Sequence, residues 1–163
     1  MKTIKFLDGT ILHIEDSVLM KMFHYIQMKE RDTEAGGVLL GKQIKNREEY
    51  ILSDISVPTI KDKRKRFSFV RDKRNAQFII NQVWRETKGI TNYLGEWHSH
   101  PECNPTPSNI DRNLIRQIIN DRSNVFSKVF LIIVGFDQSL YIGVANSKVS
   151  ANIIFSTEIG GAE

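Results

Sequence analysis

Short apolar runs separated by turn residues fill this chain, and their periods assign most of its elements. Lys2 to Leu7 and Thr10 to Glu15 flank Asp8-Gly9, the strongest short signature of a β-hairpin. Asp16 reads as a helix N-cap. Val18, Leu19, Met22, Phe23 and Ile26 then recur at helical spacing, which predicts a first helix running to about Glu30. Gly36 to Ile44 and Tyr50 to Val57 read as strands joined by the polar turn Lys45 to Glu49. A second helix is predicted over Asn75 to Thr87, with Phe78, Ile79, Val83 and Trp84 on its buried stripe. Tyr93 to His100 reads as a strand that runs into Pro101, and Ser108 to Asp121 as a third helix carrying Ile110, Leu114, Ile115, Ile118 and Ile119. Val129 to Val134, Leu140 to Ala145 and a last segment near Ile153 to Phe155 complete a sheet. Strands and helices are interspersed without regular βαβ alternation. The expectation is a mixed α/β (α+β) sandwich with helices on the sheet faces, spanning residues 1–163 as a single domain.

Composition changes this picture only locally. Hydrophobic content of 40% and charged content of 26% fit an ordinary globular protein, and no apolar run approaches a bilayer span. The N-terminus MKTIKFLDGT has no apolar core of a secretory signal. Cys103 is the only cysteine, so no intramolecular disulfide forms, and a reducing cytoplasm is the expected location. The net charge of +4 is uneven: Lys61 to Arg74 holds eight basic side chains against Asp62 and Asp72, a segment of +6 beside a remainder of −2. That stretch is expected to be a solvated loop that also steers an acidic protein substrate. It has no nucleic-acid motif and few interleaved aromatics, which argues against nucleic acid as a partner.

Candidate chemistry concentrates in Trp97-His98-Ser99-His100-Pro101, followed by Ser108 and Asp111. His98 and His100 lie two apart on a predicted strand, so both imidazoles leave one face. A loop containing Pro101, Pro105 and Pro107 can return the start of the next helix, with Asp111 in its first turn, to the strand end. Two imidazoles and a carboxylate at one point make a three-ligand catalytic zinc site, the fourth position being left to water. Amide hydrolysis also needs a general base, and no HExxH supplies one. Glu34, just before Gly36-Gly37, is the candidate, and Ser108 is placed to donate a hydrogen bond to the oxyanion.

This set resembles the JAB/JAMM (MPN+) zinc metallopeptidase family, whose pattern is an upstream Glu, then H-[ST]-H-x7-S-x2-D. Glu34, His98, Ser99, His100, Ser108 and Asp111 meet it without a gap. The resemblance implies one zinc per chain on His98, His100 and Asp111, Glu34 as acid/base and Ser108 beside the tetrahedral intermediate. It also implies the MPN fold, a curved mixed sheet sandwiched by helices. The wording Gly95 to Pro101, Pro105 to Ser108 and Arg66 to Asp72 is similar to the short JAB deconjugases of bacterial defence islands. In CBASS anti-phage systems such a protein reverses conjugation of a cyclic-nucleotide synthase C-terminus to target proteins. The implied partner is a protein substrate with a flexible conjugated C-terminal tail, either a CBASS cyclase or a ubiquitin-like protein. A processing protease of a bacterial ubiquitin-like operon, a catalytically silent MPN scaffold and a RadC-like DNA-associated protein are the competing readings.

Each residue also has a plainer reading. Ser108-x-x-Asp111 approximates a helix capping box. Glu34 could be a solvated carboxylate at a helix end. His13 and His24 match no motif and read as structural, and Cys103 as a bystander in the ligand loop. Glu96 shares strand parity with the two histidines, so it either supports them or forms a cross-strand ion pair.

Overall fold

The computed structural model describes residues 1–121 and 123–146. Nine strands and three helices appear among them: β1 (Lys2–Lys5), β2 (Ile11–Ile14), α1 (Asp16–Phe23), β3 (Gly36–Gln43), β4 (Glu49–Ile55), β5 (Lys63–Lys65), β6 (Ser68–Val70), α2 (Lys73–Glu86), β7 (Asn92–Ser99), α3 (Asn109–Asn120), β8 (Lys128–Val134) and β9 (Leu140–Asn146). Seven strands form one mixed sheet in the order β1-β2-β4-β3-β7-β8-β9, and β5 and β6 form a separate two-stranded sheet. The expected segment near Ile153 to Phe155 lies outside the described residues. None of the described helices is long and apolar enough to cross a membrane.

Side-chain parity explains how the faces are covered. Leu12, Ile14, Leu39, Leu52, Trp97, Phe130 and Ile132 share the larger core with Val18 and Met22 of α1. On the other face, Val38 and Leu40 pack with Ala76, Ile79, Ile80 and Val83 of α2. Beside them, Ile115, Ile118 and Ile119 of α3 pack on Val129, Leu131, Ile133 and Tyr141. The sheet is thus sandwiched between α1 and the α2/α3 pair, the mixed α/β architecture expected from the sequence.

Several boundaries differ from expectation for identifiable reasons. α1 begins at Asp16, with Glu15 in the cap position, and stops at Phe23. Beyond it the Asp32 carboxylate accepts from the Lys29 amide, and the buried Gln27 side chain donates to the Asp32 and Arg66 carbonyls. These local bonds offer the backbone an alternative to helix. Ile26 still packs on the core, from a loop, which is why its spacing suggested more helix. α2 starts earlier than expected because Asp72 caps it, accepting from the Asn75 amide at 2.7 Å. Phe78 and Trp84 of that helix are exposed, its contacts to the sheet being made by Ala76, Ile79, Ile80 and Val83.

The basic stretch is not a solvated loop throughout. Lys63 to Val70 forms the β5–β6 hairpin, and Arg64, Arg66 and Arg71 each hydrogen-bond to other parts of the chain. Arg71 makes three hydrogen bonds of 2.8–3.1 Å to the Glu96 carboxylate, which is 3% exposed. Tyr93 adds a fourth through its hydroxyl, at 2.8 Å. Of the two readings of Glu96, the ion pair is the one found. Arg71→Met would leave a buried carboxylate unpaired, which costs on the order of 3 kcal/mol. Urea unfolding at pH 7 is expected to show that loss, with Glu96→Gln in the same background recovering part of it.

Candidate metal centre

β7 and β8 run parallel, and α3 is the crossover between them. Such a crossover brings a helix N-terminus to the carboxyl end of the preceding strand. Asp111 and Ile115 are the two buried residues of α3, four apart and therefore on one stripe. Ile115 is anchored on the β8–β9 face. His98 pairs with Ile133 of β8, so its side chain leaves that same face. Asp111 is turned toward the histidines by the packing that seats the helix.

The three side chains meet closely. His98 Nε2 lies 2.8 Å from Asp111 Oδ1, and His100 Nε2 lies 3.4 Å from Asp111 Oδ2. The two rings are nearly parallel, 23° apart, with centroids at 5.3 Å. One ligand atom from each of the three residues falls within 4.8 Å of the others, and all three residues are buried. His98 Nε2 is buried and makes no hydrogen bond, although a carboxylate oxygen is near it. A buried ring nitrogen left without an aligned partner fits a site built for a cation. A divalent metal that takes nitrogen and oxygen donors suits this set, zinc among them.

Neighbouring groups fix these side chains. His100 Nδ1 lies 3.1 Å from Glu102 Oε1, which also accepts from the Thr106 amide at 3.2 Å. A proton held on Nδ1 by that carboxylate leaves Nε2 with a lone pair toward Asp111. The Ser108–Asp111 pair forms a full capping box: Ser108 Oγ accepts from the Asp111 amide at 3.2 Å, and Asp111 Oδ2 accepts from the Ser108 amide at 2.6 Å. The plainer reading of this pair therefore holds alongside any metal role, since Asp111 keeps a second oxygen. Ser108 itself is exposed, and its hydroxyl hydrogen is not used by the cap.

Glu34 approaches from β3. Gly36 pairs with His98, and the Ser99 amide donates to the Ala35 carbonyl, so the register extended by two residues sets Glu34 opposite His100. Ser99 Oγ accepts from the Ala35 amide at 3.0 Å and donates to Gln27 Oε1 at 3.2 Å. Both Gln27 and Ser99 are buried; Ser99 was marked only as a position of the motif, and Gln27 did not stand out in the sequence. Gly36 is needed for close approach: a Cβ there would lie 2.6 Å from both the Trp97 carbonyl oxygen and the Phe69 ring.

Electrostatics separate the two carboxylates. Burial dominates at Glu34 and pushes its carboxyl up from 4.5 to about 7, against the lowering influence of His100 and His98. Burial also pushes Asp111 up, but the imidazoles of His100 and His98 outweigh it and hold that carboxyl far below the usual range. His100 is pushed down by burial and raised by more through Asp111 and Glu102. One carboxylate is thus fixed as an anion, while the other exchanges a proton near neutrality.

The remaining candidates are peripheral. His13 bridges Thr3 and Glu49 across the β1–β2–β4 edge, and His24 rests edge-on against Tyr25. Cys103 is exposed and stands outside the ligand group.

A family model described as prokaryotic homologs of the JAB domain matches residues 16–144. A CD-NTase/cGAS isopeptidase of Pseudomonas aeruginosa is 38% identical over 104 residues, 64% of this chain and 65% of that protein. Proteins of the same name from Escherichia coli and Vibrio cholerae are each 34% identical, over 113 and 119 residues, covering 68% and 72% of this chain and 71% and 72% of theirs. The match thus spans just under two thirds of the Pseudomonas relative's length. The solution structure of DSY2949 from Desulfitobacterium hafniense shares the fold, with a TM-score of 0.59 at 17% identity over 91% of this chain and 95% of that one.

Proposed function

Since the chain belongs to the prokaryotic homologs of the JAB domain, we propose that it is a zinc-dependent isopeptidase that releases a conjugated protein tail. The observation that carries this reading is the buried group of His98, His100 and Asp111 with Glu34 beside it. The relatives named CD-NTase/cGAS isopeptidase support a cyclase C-terminus as the tail. A ubiquitin-like modifier is the second candidate.

His98, His100 and Asp111 would hold the zinc, which supplies a Lewis acid and brings the pKa of a bound water to roughly 7. Glu34 takes a proton from the attacking water as its oxygen adds to the scissile carbonyl carbon. The Ser108 hydroxyl donates to the oxyanion that develops there. Glu34 then gives the proton to the leaving nitrogen, the C–N bond breaks, and the products are a carboxylate and an amine. A carboxyl poised near 7 suits both halves of that exchange. Burial keeps bulk water from competing for the proton.

Ser108→Ala is expected to lower kcat by about a hundredfold to a thousandfold through the lost oxyanion donor, with KM little changed. Helix capping is lost at the same time, at about 1 kcal/mol, so a stability measurement accompanies the kinetics. The decisive experiment is intact-mass analysis of a cyclase C-terminus joined through an amide to a target protein. Wild type should separate the two just after the cyclase's last residue, and Glu34→Gln should not. No cut by the zinc-loaded wild type would reject the cyclase, and ubiquitin-like conjugates would be tested in the same way.

A further inference from the structure

We propose that Arg64 is a positioning residue for Glu34, acting through the backbone of the segment that carries it. This deepens the reading of Glu34 as the proton carrier and rests on it.

Both peptide groups flanking the Glu34 Cα are held by one strand of the β5–β6 hairpin. The Glu34 amide donates to the Lys65 carbonyl at 2.8 Å. The Glu34 carbonyl accepts from Arg64 Nε at 2.8 Å, and the same guanidinium reaches the Thr33 carbonyl through Nη2 at 3.3 Å. Two consecutive carbonyls are thus gripped by one planar fork, a geometry that an ammonium cannot reproduce. Upstream of Glu34 the hairpin repeats the device. Arg66 Nη1 donates to the Lys29 and Glu30 carbonyls at 3.0 and 2.6 Å, and the Arg66 carbonyl accepts from Gln27 at 2.9 Å.

The hairpin needs an anchor to act as a clamp, because two strands of three residues are marginal alone. It has two. Phe69 lies against Gly36 of β3, and Arg71, just past β6, is tied to the buried Glu96 of β7. Glu96 stands two residues before His98, on the strand that carries His98 and leads directly into His100. The base segment and the ligand strand are therefore referenced to each other twice: directly, through Ala35 and Ser99, and through the hairpin by way of Arg64.

Arg64 is exposed and its partners are backbone groups, so removing it perturbs position more than folding. Arg64→Ala in the zinc-loaded full chain should keep its metal content and melting temperature. The Glu34 amide should exchange with deuterium faster than in wild type. kcat should fall by up to about a hundredfold with KM nearly constant, the scale of a misplaced catalytic group. Added ethylguanidinium should restore part of the rate, and Arg64→Lys should remain impaired. In a Glu34→Gln background, Arg64→Ala should have no further effect on any residual rate.

Unchanged Glu34 exchange in Arg64→Ala overturns the inference, whether or not kcat falls. Faster exchange with an unchanged kcat overturns it as well. A wild type that cleaves no conjugate, in a protein where Arg64→Ala still exposes the Glu34 amide, overturns the peptidase reading instead and leaves the clamp as a structural device.

Discussion

Glu34→Gln is expected to abolish measurable turnover while leaving one zinc per chain. Glutamine keeps the shape of the side chain but cannot accept the water's proton, and general-base removal costs roughly a hundredfold to ten-thousandfold. The ligand group does not include Glu34, so metal stoichiometry should be unaffected. The same substitution should change stability in the opposite direction. Burial raises the Glu34 carboxyl to about 7 in the folded, metal-free protein. A raised folded-state pKa stabilises the fold below the unfolded value of 4.5, and that contribution is lost as pH rises through 7. At about 1.4 kcal/mol per pKa unit the loss is on the order of 3 kcal/mol. Metal-free Glu34→Gln should therefore match wild type near pH 4 and exceed it near pH 8, by denaturant titration. Bound zinc places positive charge beside the carboxylate and should flatten that difference. In kinetics, kcat/KM of the loaded protein should fall toward low pH as Glu34 is protonated, and this acid limb should lie at or below 7. Retained activity in Glu34→Gln would reject the base assignment.

His98→Ala, His100→Ala and Asp111→Ala should each lose zinc on dialysis against a mild chelator that leaves wild type loaded. Each removes one of three donors from a set that has no fourth protein ligand among the described residues. Asp111→Ala should also lower stability, because its carboxylate completes the α3 capping box. Asp111→Asn separates the two roles, since an amide oxygen can still accept from the Ser108 amide while the anionic ligand is gone. Glu102→Gln, which alters the group beside His100 Nδ1 without removing a ligand, is expected to weaken zinc by about tenfold to a hundredfold. Unchanged stoichiometry in all three ligand variants would sink the site.

The parts of this arrangement that the sequence made legible are those in which one stretch of chain contains the whole pattern. His98 and His100 share strand parity, and Ser108 and Asp111 share a helical turn, so spacing alone describes both. Glu34 was legible only through the resemblance and its glycines, because the strand beside it is remote in sequence, Ala35 and Ser99 being 64 positions apart. The β5–β6 hairpin was not legible. Its turn, Arg66-Phe67, carries no Asn or Gly, and its strands read as a charge run. Nor could Arg64 and Arg66 be distinguished from solvated arginines, since their partners are main-chain carbonyls, which have no sequence signature. Gln27 and Glu102 went unnoticed for a related reason, and Ser99 was legible only as a motif position: their contacts exist only once loop and strand are folded together.

The crossover that joins β7 to β8 through α3 has a consequence for how the molecule is made and unmade. All three donor residues lie within one short span of chain, so closing the loop between them costs little entropy. Glu34 and its hairpin reach that span only through non-local pairing of β3 with β7, whose longer loop costs more to close. On the proposed reading, the group that would hold a metal can therefore assemble before the base reaches it. Hydrolytic competence would then be a property of the finished fold alone.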